Sequence, residues 1–248
     1  MKPVGPMFKW FGSKWGASRY YPKPMFDYID EPFAGGAGYS LRYHQKKVRI
    51  YDNNPNLIVL WKWLIGEATE DLIRDIPISI KEGTDIRTLG LSDGQAMLMK
   101  HWQRTNNVGN CWTVSPWGNK PGQWTANTRA RVAEEVHAVK HWEFAPCTFD
   151  SADVTYFIDP PYQYNYRYLG GFFDYDNLRK QLSEIPSPRQ IIACEAICPK
   201  TGKVPDWLDF RAFRRTVTSR RKAENHHHSS ELLCHIINDR VDYTPVDT

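Results

Sequence analysis

Residues Val154–Ile158 form an apolar run that stops at Asp159-Pro160-Pro161-Tyr162. A run of this length and composition suits a strand buried on both faces, and proline cannot donate to a sheet ladder, so two successive prolines end it. A strand of this type needs cover on both sides, which is the habit of parallel α/β sheets. Its terminus then carries an acceptor-only carboxylate, rigid backbone carbonyls and an aromatic face at a strand's C-terminal end, where ligands sit in open α/β sheets. Such a group suits a planar base with an exocyclic amine: carboxylate and proline carbonyl accept the N–H bonds while the ring stacks. A Pro-rich turn after a core strand is the plainer reading, and it would suffice for Asp-Pro alone.

The rest of the chain supports an α/β class. Strand and helix alternate from the start, with a strand expected over Met25–Asp30, a helix over Tyr39–Gln45, a strand over Val48–Tyr51 and an amphipathic helix over Leu57–Ile65. The alternation then fails between residues 67 and 141, where two helical stretches, Ser92–Arg104 and Thr125–Lys140, flank a Gly/Asn/Trp/Pro-rich middle. This segment reads as an insertion rather than another βα unit. Strands are expected again over Phe144–Phe149, Val154–Ile158, Gln190–Ala193, Phe210–Val217 and Glu231–Asn238, with a helix over Tyr175–Glu184. The implied division is a catalytic domain of residues 1–66 and 142–248 and an insertion of residues 67–141. At 248 residues the length allows this.

The net charge of +4 decides little, but its distribution is informative. Gly94 to Ala133 contains no Asp or Glu, while Lys100, Arg104, Lys120, Arg129 and Arg131 are interleaved with Trp102, Trp112, Trp117 and Trp124. A second acid-free run, Arg211 to Lys222, carries Arg211, Arg214, Arg215, Arg220, Arg221 and Lys222. Basic stretches mixed with aromatic and amide side chains fit a polyphosphate partner whose bases can be stacked or wedged; a solvated basic face is the alternative.

Five cysteines without a Cys-x-x-Cys pair suggest reduced thiols. Neither Cys194-x-x-x-Cys198 nor His226-His227-His228 has the spacing of a structural zinc site, so no metal is expected. No apolar segment is long enough to span a membrane and the N-terminus lacks a signal-peptide core, so a cytoplasmic protein is expected.

Two further stretches point to a nucleoside-containing cofactor. Glu31-Pro32-Phe33-Ala34-Gly35-Gly36-Ala37-Gly38 is a glycine turn between an expected strand and helix, where the backbone can approach a ligand closely. About twenty residues on, Asp52 ends the next strand, placed to accept hydrogen bonds from both ribose hydroxyls. The chain lacks the Gly-Lys-Ser/Thr ending of a P-loop, which speaks against a phosphate-rich nucleotide. Phe8-Lys9-Trp10-Phe11-Gly12-Ser13-Lys14 adds an aromatic face, a turn and a cation ahead of the first strand. An N-terminal arm whose Trp plugs the core is the other reading of that stretch.

Together these stretches resemble the Dam-type (D12 class) DNA adenine-N6 methyltransferases. The family's Lys-Trp-x-Gly-Gly-Lys appears as Lys9-Trp10-Phe11-Gly12-Ser13-Lys14, with Ser13 replacing the second glycine. Its Asp/Glu-Pro-Phe-x-Gly-Gly loop appears as Glu31–Gly36, its Asp-x-Asn-x-x-Leu-Ile segment as Asp52–Ile58, and its Asp-Pro-Pro-Tyr is intact. Arg104-Thr105-Asn106-Asn107-Val108-Gly109 with Thr113–Gly118 is similar to the family's Arg-x-Asn-x-x-Gly and Val-Pro-Tyr/Phe-Gly, and Arg220 to Leu233 is similar to its last loop.

The resemblance implies a Rossmann-like S-adenosylmethionine-dependent methyltransferase sheet with a mostly helical DNA-recognition insertion. It implies S-adenosylmethionine as cofactor, held by Trp10, Lys14, Phe33, Ala34, Gly35, Gly36, Asp52 and Asp159. The reaction is expected to use Asp159, Pro160 and Tyr162 on a flipped adenine. Duplex DNA is the implied partner, contacted by Arg104, Asn106, Asn107, Trp112, Trp117, Lys120, Arg220 and Arg221, with no obligate protein partner. Trp112 and Trp117 are candidates either to wedge the opened stack or to fill the insertion's own core. Asp150 is a further candidate for the cofactor's adenine pocket. N4-cytosine methylation, an RNA substrate and a catalytically silent DNA-binding protein remain open as alternatives.

Overall fold

The computed structural model describes residues 3–103, 111–164, 173–198, 200–212 and 231–242. The chain divides into two compact units, one of residues 1–21 and 31–147, the other of residues 22–30 and 148–248. The division falls inside the first strand, β1 (Tyr28–Glu31), between Asp30 and Glu31.

The second unit is built on a mixed sheet. Its strands are β1, β4 (Val154–Ile158), β5 (Arg189–Ala196), β6 (Arg211–Ala212), β7 (Glu231–Ile237) and β8 (Arg240–Val241). Beginning at β1, the order is β1-β4-β5-β7-β6, with β8 on β7. β1, β4 and β5 are parallel, whereas β7 runs antiparallel to β5, β6 and β8. Every residue of β4 is buried, as its unbroken apolar character requires. The polar Thr155 is accommodated because its Oγ1 donates to Gln190 Oε1 at 2.9 Å on the adjacent strand. Helix α5 (Tyr175–Glu184) starts where Asp174 Oδ1 accepts the Asn177 N–H at 2.9 Å, and it buries Leu178 and Leu182.

In the first unit, β2 (Lys47–Ile50) pairs in parallel with β3 (Glu143–Phe144). Helix α1 (Pro55–Gly66) begins with Asn54 as N-cap and Pro55 in the first turn, and it turns Leu57, Leu60, Trp61 and Leu64 into the core. There Trp61 stacks near Trp142, with ring centroids 5.8 Å apart, and meets Phe8 edge-on at 5.2 Å. Helices α2 (Glu70–Arg74), α3 (Asp93–Gln103) and α4 (Ala126–Glu135) follow. α3 lies close to α1: a Cβ at Gly94 would sit 2.0 Å from the Trp63 ring. Within residues 67–141 the described regular elements are helical, apart from one antiparallel bridge between Asp85 and Thr113.

Four expected elements differ. The strand expected over Met25–Asp30 begins only at Tyr28 and runs to Glu31. Of the strand expected over Phe210–Val217, β6 covers Arg211–Ala212, and residues 213–217 lie outside the described residues. Tyr39–Gln45 forms one 3-10 turn, Ser40–Tyr43, before β2 begins at Lys47. The strand expected over Phe144–Phe149 is only Glu143–Phe144; Pro146 lacks an N–H, and Phe149 turns the chain at φ 54°. The helix expected to Lys140 is α-helical to Glu135 and closes as a 3-10 turn over Val136–Val139.

Candidate active site

The glycine turn and Asp52 form one hydrogen-bonded assembly in the first unit. Asp52 Oδ2 accepts the Gly35 N–H at 2.9 Å, Asp52 Oδ1 accepts the Asn54 N–H at 2.9 Å, and the Gly35 carbonyl accepts the Trp61 indole N–H at 2.9 Å. Gly35 is thus fixed through both of its backbone groups. Burial raises the Asp52 carboxyl above the usual carboxylate range, against the pull of backbone N–H groups at Asn54, Gly35 and Asn53. A carboxylate left short of compensation in this way favours additional hydroxyl donors, so the donor chemistry of a ribose fits it.

Glu31 has a different task. It is buried and accepts from the Ser40 backbone N–H at 3.0 Å and from the Ser40 hydroxyl, which ties the loop's entry to its exit.

The N-terminal arm lies directly on this loop. Gly35 has φ +48°, and a Cβ there would meet the Trp10 indole at 2.6 Å. A Cβ at Gly38 would stand 2.2 Å from the Trp15 backbone nitrogen. The glycines therefore admit the chain's own arm, a reason for them beyond close approach to a ligand. Gly38→Ala is expected to lower unfolding free energy by about 1–3 kcal/mol, since backbone cannot swing aside as a side chain can. Gly16, where a Cβ meets nothing within 4 Å, is the control for a denaturant titration.

Trp10 is half-buried and tilts against the His101 ring at 5.6 Å. Burial, and then the neighbouring Lys100, push the His101 imidazole down to about 3, so this histidine is neutral packing. Lys14 is buried and donates to the Gly12 carbonyl at 3.1 Å. Phe33 is half-buried and Ala34 buried, with the Ala34 N–H donating to the Tyr51 carbonyl at 2.9 Å. Trp10, Lys14, Phe33–Gly36 and Asp52 thus belong to one unit.

Asp159, Pro160 and Tyr162 lie in the second unit. β4 pairs Ile158 with Ala193 on β5, so the tetrapeptide leaves the sheet beside the last residues of β5. Asp159 and Tyr162 are half-buried, and Pro160 is buried. The turn is braced from two elements. The Tyr175 hydroxyl of α5 donates to the Pro161 carbonyl, and Glu195 of β5 accepts the Gln163 N–H at 3.0 Å.

Glu195 is a residue that sequence reasoning missed. It is fully buried, its Oε1 also accepts the Trp207 indole N–H at 3.0 Å, and its Oε2 accepts the Ala196 N–H at 3.1 Å. Burial raises its carboxyl to about 7, and the charge of Asp159 adds to the rise. The available signal was an acid directly following the apolar run Ile191–Cys194. Asp150 is exposed and accepts from the Thr148 and Ser151 hydroxyls, a local turn arrangement.

The expected nucleic-acid contacts separate. Trp117 is 65% exposed, whereas Trp102 and Trp124 are buried with their indole N–H groups on the Met7 and Pro77 carbonyls. Trp112 is half-buried, with Lys100 Nζ 4.3 Å from its ring centroid. Several cations of the acid-free window are engaged internally: Lys100 is buried, Arg129 donates to the Ile76 carbonyl, and Arg131 pairs with Glu135 at 2.6 Å. Lys120 is exposed. Arg104, Asn106, Asn107, Arg220, Arg221 and His226–His228 lie outside the described residues. Among the described residues no group of His, Cys, Asp or Glu is arranged to hold a metal, and no helix is long and apolar enough to cross a membrane.

No curated protein matches the chain. The family model of D12 class N6 adenine-specific DNA methyltransferases matches residues 10–86, which hold Trp10, Lys14, the glycine turn and Asp52, and over that segment the resemblance seen in the sequence is borne out.

Proposed function

We propose that the protein transfers a methyl group from S-adenosylmethionine to adenine N6 in duplex DNA. The observation that carries this reading is the Asp159–Tyr162 turn at the C-terminal end of the fully buried strand β4, held by Tyr175 and Glu195. The parallel β1-β4-β5 core beside antiparallel β7 fits a Rossmann-like methyltransferase sheet, and the family match over the glycine turn agrees with a nucleoside cofactor.

The cofactor would supply an electrophilic methyl carbon on a sulfonium sulfur, which leaves as a neutral thioether as the carbon–sulfur bond breaks, while N6 gives up one proton to solvent. Asp52 would hold its ribose hydroxyls and Trp10 would cover it from the arm, with Lys14 keeping the arm in shape. The nitrogen lone pair of an aromatic amine is delocalised into its ring, which makes it a poor nucleophile. Asp159 and the Pro160 carbonyl, each accepting one N6 hydrogen, draw that lone pair out of conjugation and aim it. Tyr162 stacks on the ring of a base taken out of the duplex, offsetting part of an unstacking cost of a few kcal/mol. Residues 67–141 are assigned to target recognition.

Nucleoside analysis of unmodified plasmid DNA after incubation with the protein and S-adenosylmethionine tests the reading. N6-methyladenine is the expected product. N4-methylcytosine alone, methylation of RNA alone, or cofactor binding without any methylated base would each replace it with one of the alternatives above.

The exposed Trp117 and Lys120 give a separate expectation. Trp117→Ala should leave thermal stability unchanged while weakening duplex binding by about 1–3 kcal/mol if the indole stacks or wedges. Lys120→Ala should weaken binding to all sequences evenly and flatten the slope of log affinity against log salt by about 1. Unchanged binding by both variants in a salt titration would move recognition away from this surface.

A further inference from the structure

We propose that Glu195 is a positioning residue for the catalytic turn, its carboxylate joining the Gln163 backbone N–H to the Trp207 indole and so fixing how Tyr162 presents its ring. This inference rests on the methyltransferase reading above, and its geometry lies wholly within the second unit.

Tyr162 is the residue immediately before Gln163, so whatever holds the Gln163 N–H also sets the direction in which the chain leaves the tyrosine. Glu195 Oε1 accepts that N–H at 3.0 Å and the Trp207 Nε1–H at 3.0 Å. Trp207 is itself fixed, 3% exposed, between Phe210 (ring centroids 4.9 Å apart) and Tyr175 (5.7 Å). Tyr175 closes the circuit by donating to the Pro161 carbonyl. Two independent ties, one to Pro161 and one to Gln163, therefore bracket Tyr162, and both converge on Trp207. A carboxylate buried within reach of the Asp159 charge costs stability, first through desolvation and then through like-charge repulsion. A glutamine or apolar residue would avoid that cost, and the carboxylate present here meets a demand for strong acceptance from three N–H donors at once.

Among the described residues, the charged groups near Glu195 include Asp159 at the end of β4, Asp206, which accepts from the Gln163 side chain at 3.3 Å, and Glu231, paired with Ala196 on β7. Of these, Asp159 raises the Glu195 carboxyl, behind burial as the first cause. The three N–H ties are strongest with Glu195 ionised, so the turn should tighten as pH rises through about 7.

The experiment compares wild type, Glu195→Gln and Glu195→Ala. Glu195→Gln retains one acceptor oxygen for the Gln163 and Trp207 donors but loses the charge; Glu195→Ala removes the bridge. Single-turnover rates on duplex DNA should fall by up to about 10²-fold in Glu195→Ala, with Glu195→Gln between it and wild type. Cofactor affinity by calorimetry should be unchanged in both. The Gln163 amide resonance should titrate with a midpoint near 7 in wild type and stay flat in Glu195→Gln. If wild type forms no methylated base, the reaction assignment fails while the amide titration still decides whether the bridge exists. A folded Glu195→Ala protein with wild-type turnover, or a Gln163 amide indifferent to pH in wild type, overturns the proposal.

Discussion

Asp159→Ala is expected to lower the single-turnover rate of methyl transfer by at least about 10²–10³-fold while duplex affinity changes little. The reason is the timing of the interaction. Before reaction the N6 amine is planar and shares its lone pair with the ring, so accepting its hydrogens gains a modest hydrogen bond. As the carbon–nitrogen bond forms, positive charge builds on N6 and its hydrogens become stronger donors, so the carboxylate contributes most at that moment. A neutral side chain forfeits that difference without greatly weakening ground-state binding. Asp159→Asn keeps the shape and one acceptor, and it should fall between wild type and alanine. The substitution has a second consequence on the same turn. The Asp159 charge is among the causes that raise Glu195, so its removal should move the Glu195 titration down from about 7, with burial still holding it above the ordinary glutamate range. Rapid-quench rates and the Gln163 amide titration measure both effects. Near-normal turnover by Asp159→Ala would reject the catalytic assignment.

The second unit's central elements were legible because their signals are local. β4 spans the apolar run of the sequence and ends where Pro160 denies it a donor, and α5 spans its expected residues because Asp174 caps it. The glycine turn and Asp52 were recognisable from residue type and spacing, yet their mutual hydrogen bond was not, since it depends on where β2 delivers Asp52. Nor could the sequence show that Trp10 occupies the space over Gly35, because that contact is set by the path of the arm.

The basic window between Gly94 and Ala133 was the least legible stretch. Its cations and tryptophans looked alike in sequence, but amphipathic burial separates them. Trp102 and Trp124 find buried carbonyl partners, Lys100 lies over Trp112, and Trp117 and Lys120 are left on the surface. Glu195 escaped notice for the opposite reason. Its significance comes from three donors brought together by the strand register and by Trp207, far from it in the chain's local pattern.

Asp52→Ala is expected to weaken S-adenosylmethionine binding by about 1.5–3 kcal/mol, roughly 10- to 150-fold, through loss of charge-assisted acceptance from hydroxyl donors. The structure adds a cost in the absence of cofactor. The Gly35 and Asn54 N–H groups would lose their acceptor, and a buried donor left unpaired, as at Gly35, costs about 1–3 kcal/mol. Gly35 would then be held only through its carbonyl on Trp61, so the turn beneath Trp10 should loosen as well. Asp52→Asn separates the two effects, because its amide oxygen still accepts one backbone N–H while the charge is gone. It should recover part of the stability and little of the affinity. The pH dependence has a defined sign. Burial raises the Asp52 carboxyl, and only the ionised form accepts through both oxygens. Affinity for the cofactor should therefore fall as pH drops through a value above the ordinary aspartate range, and Asp52→Asn should lack that dependence. Calorimetry across pH, set beside denaturant unfolding of the ligand-free variants, resolves binding from folding. If Asp52→Ala binds S-adenosylmethionine as wild type does while its ligand-free stability drops, Asp52 serves only to hold the glycine turn and the ribose contact must lie elsewhere.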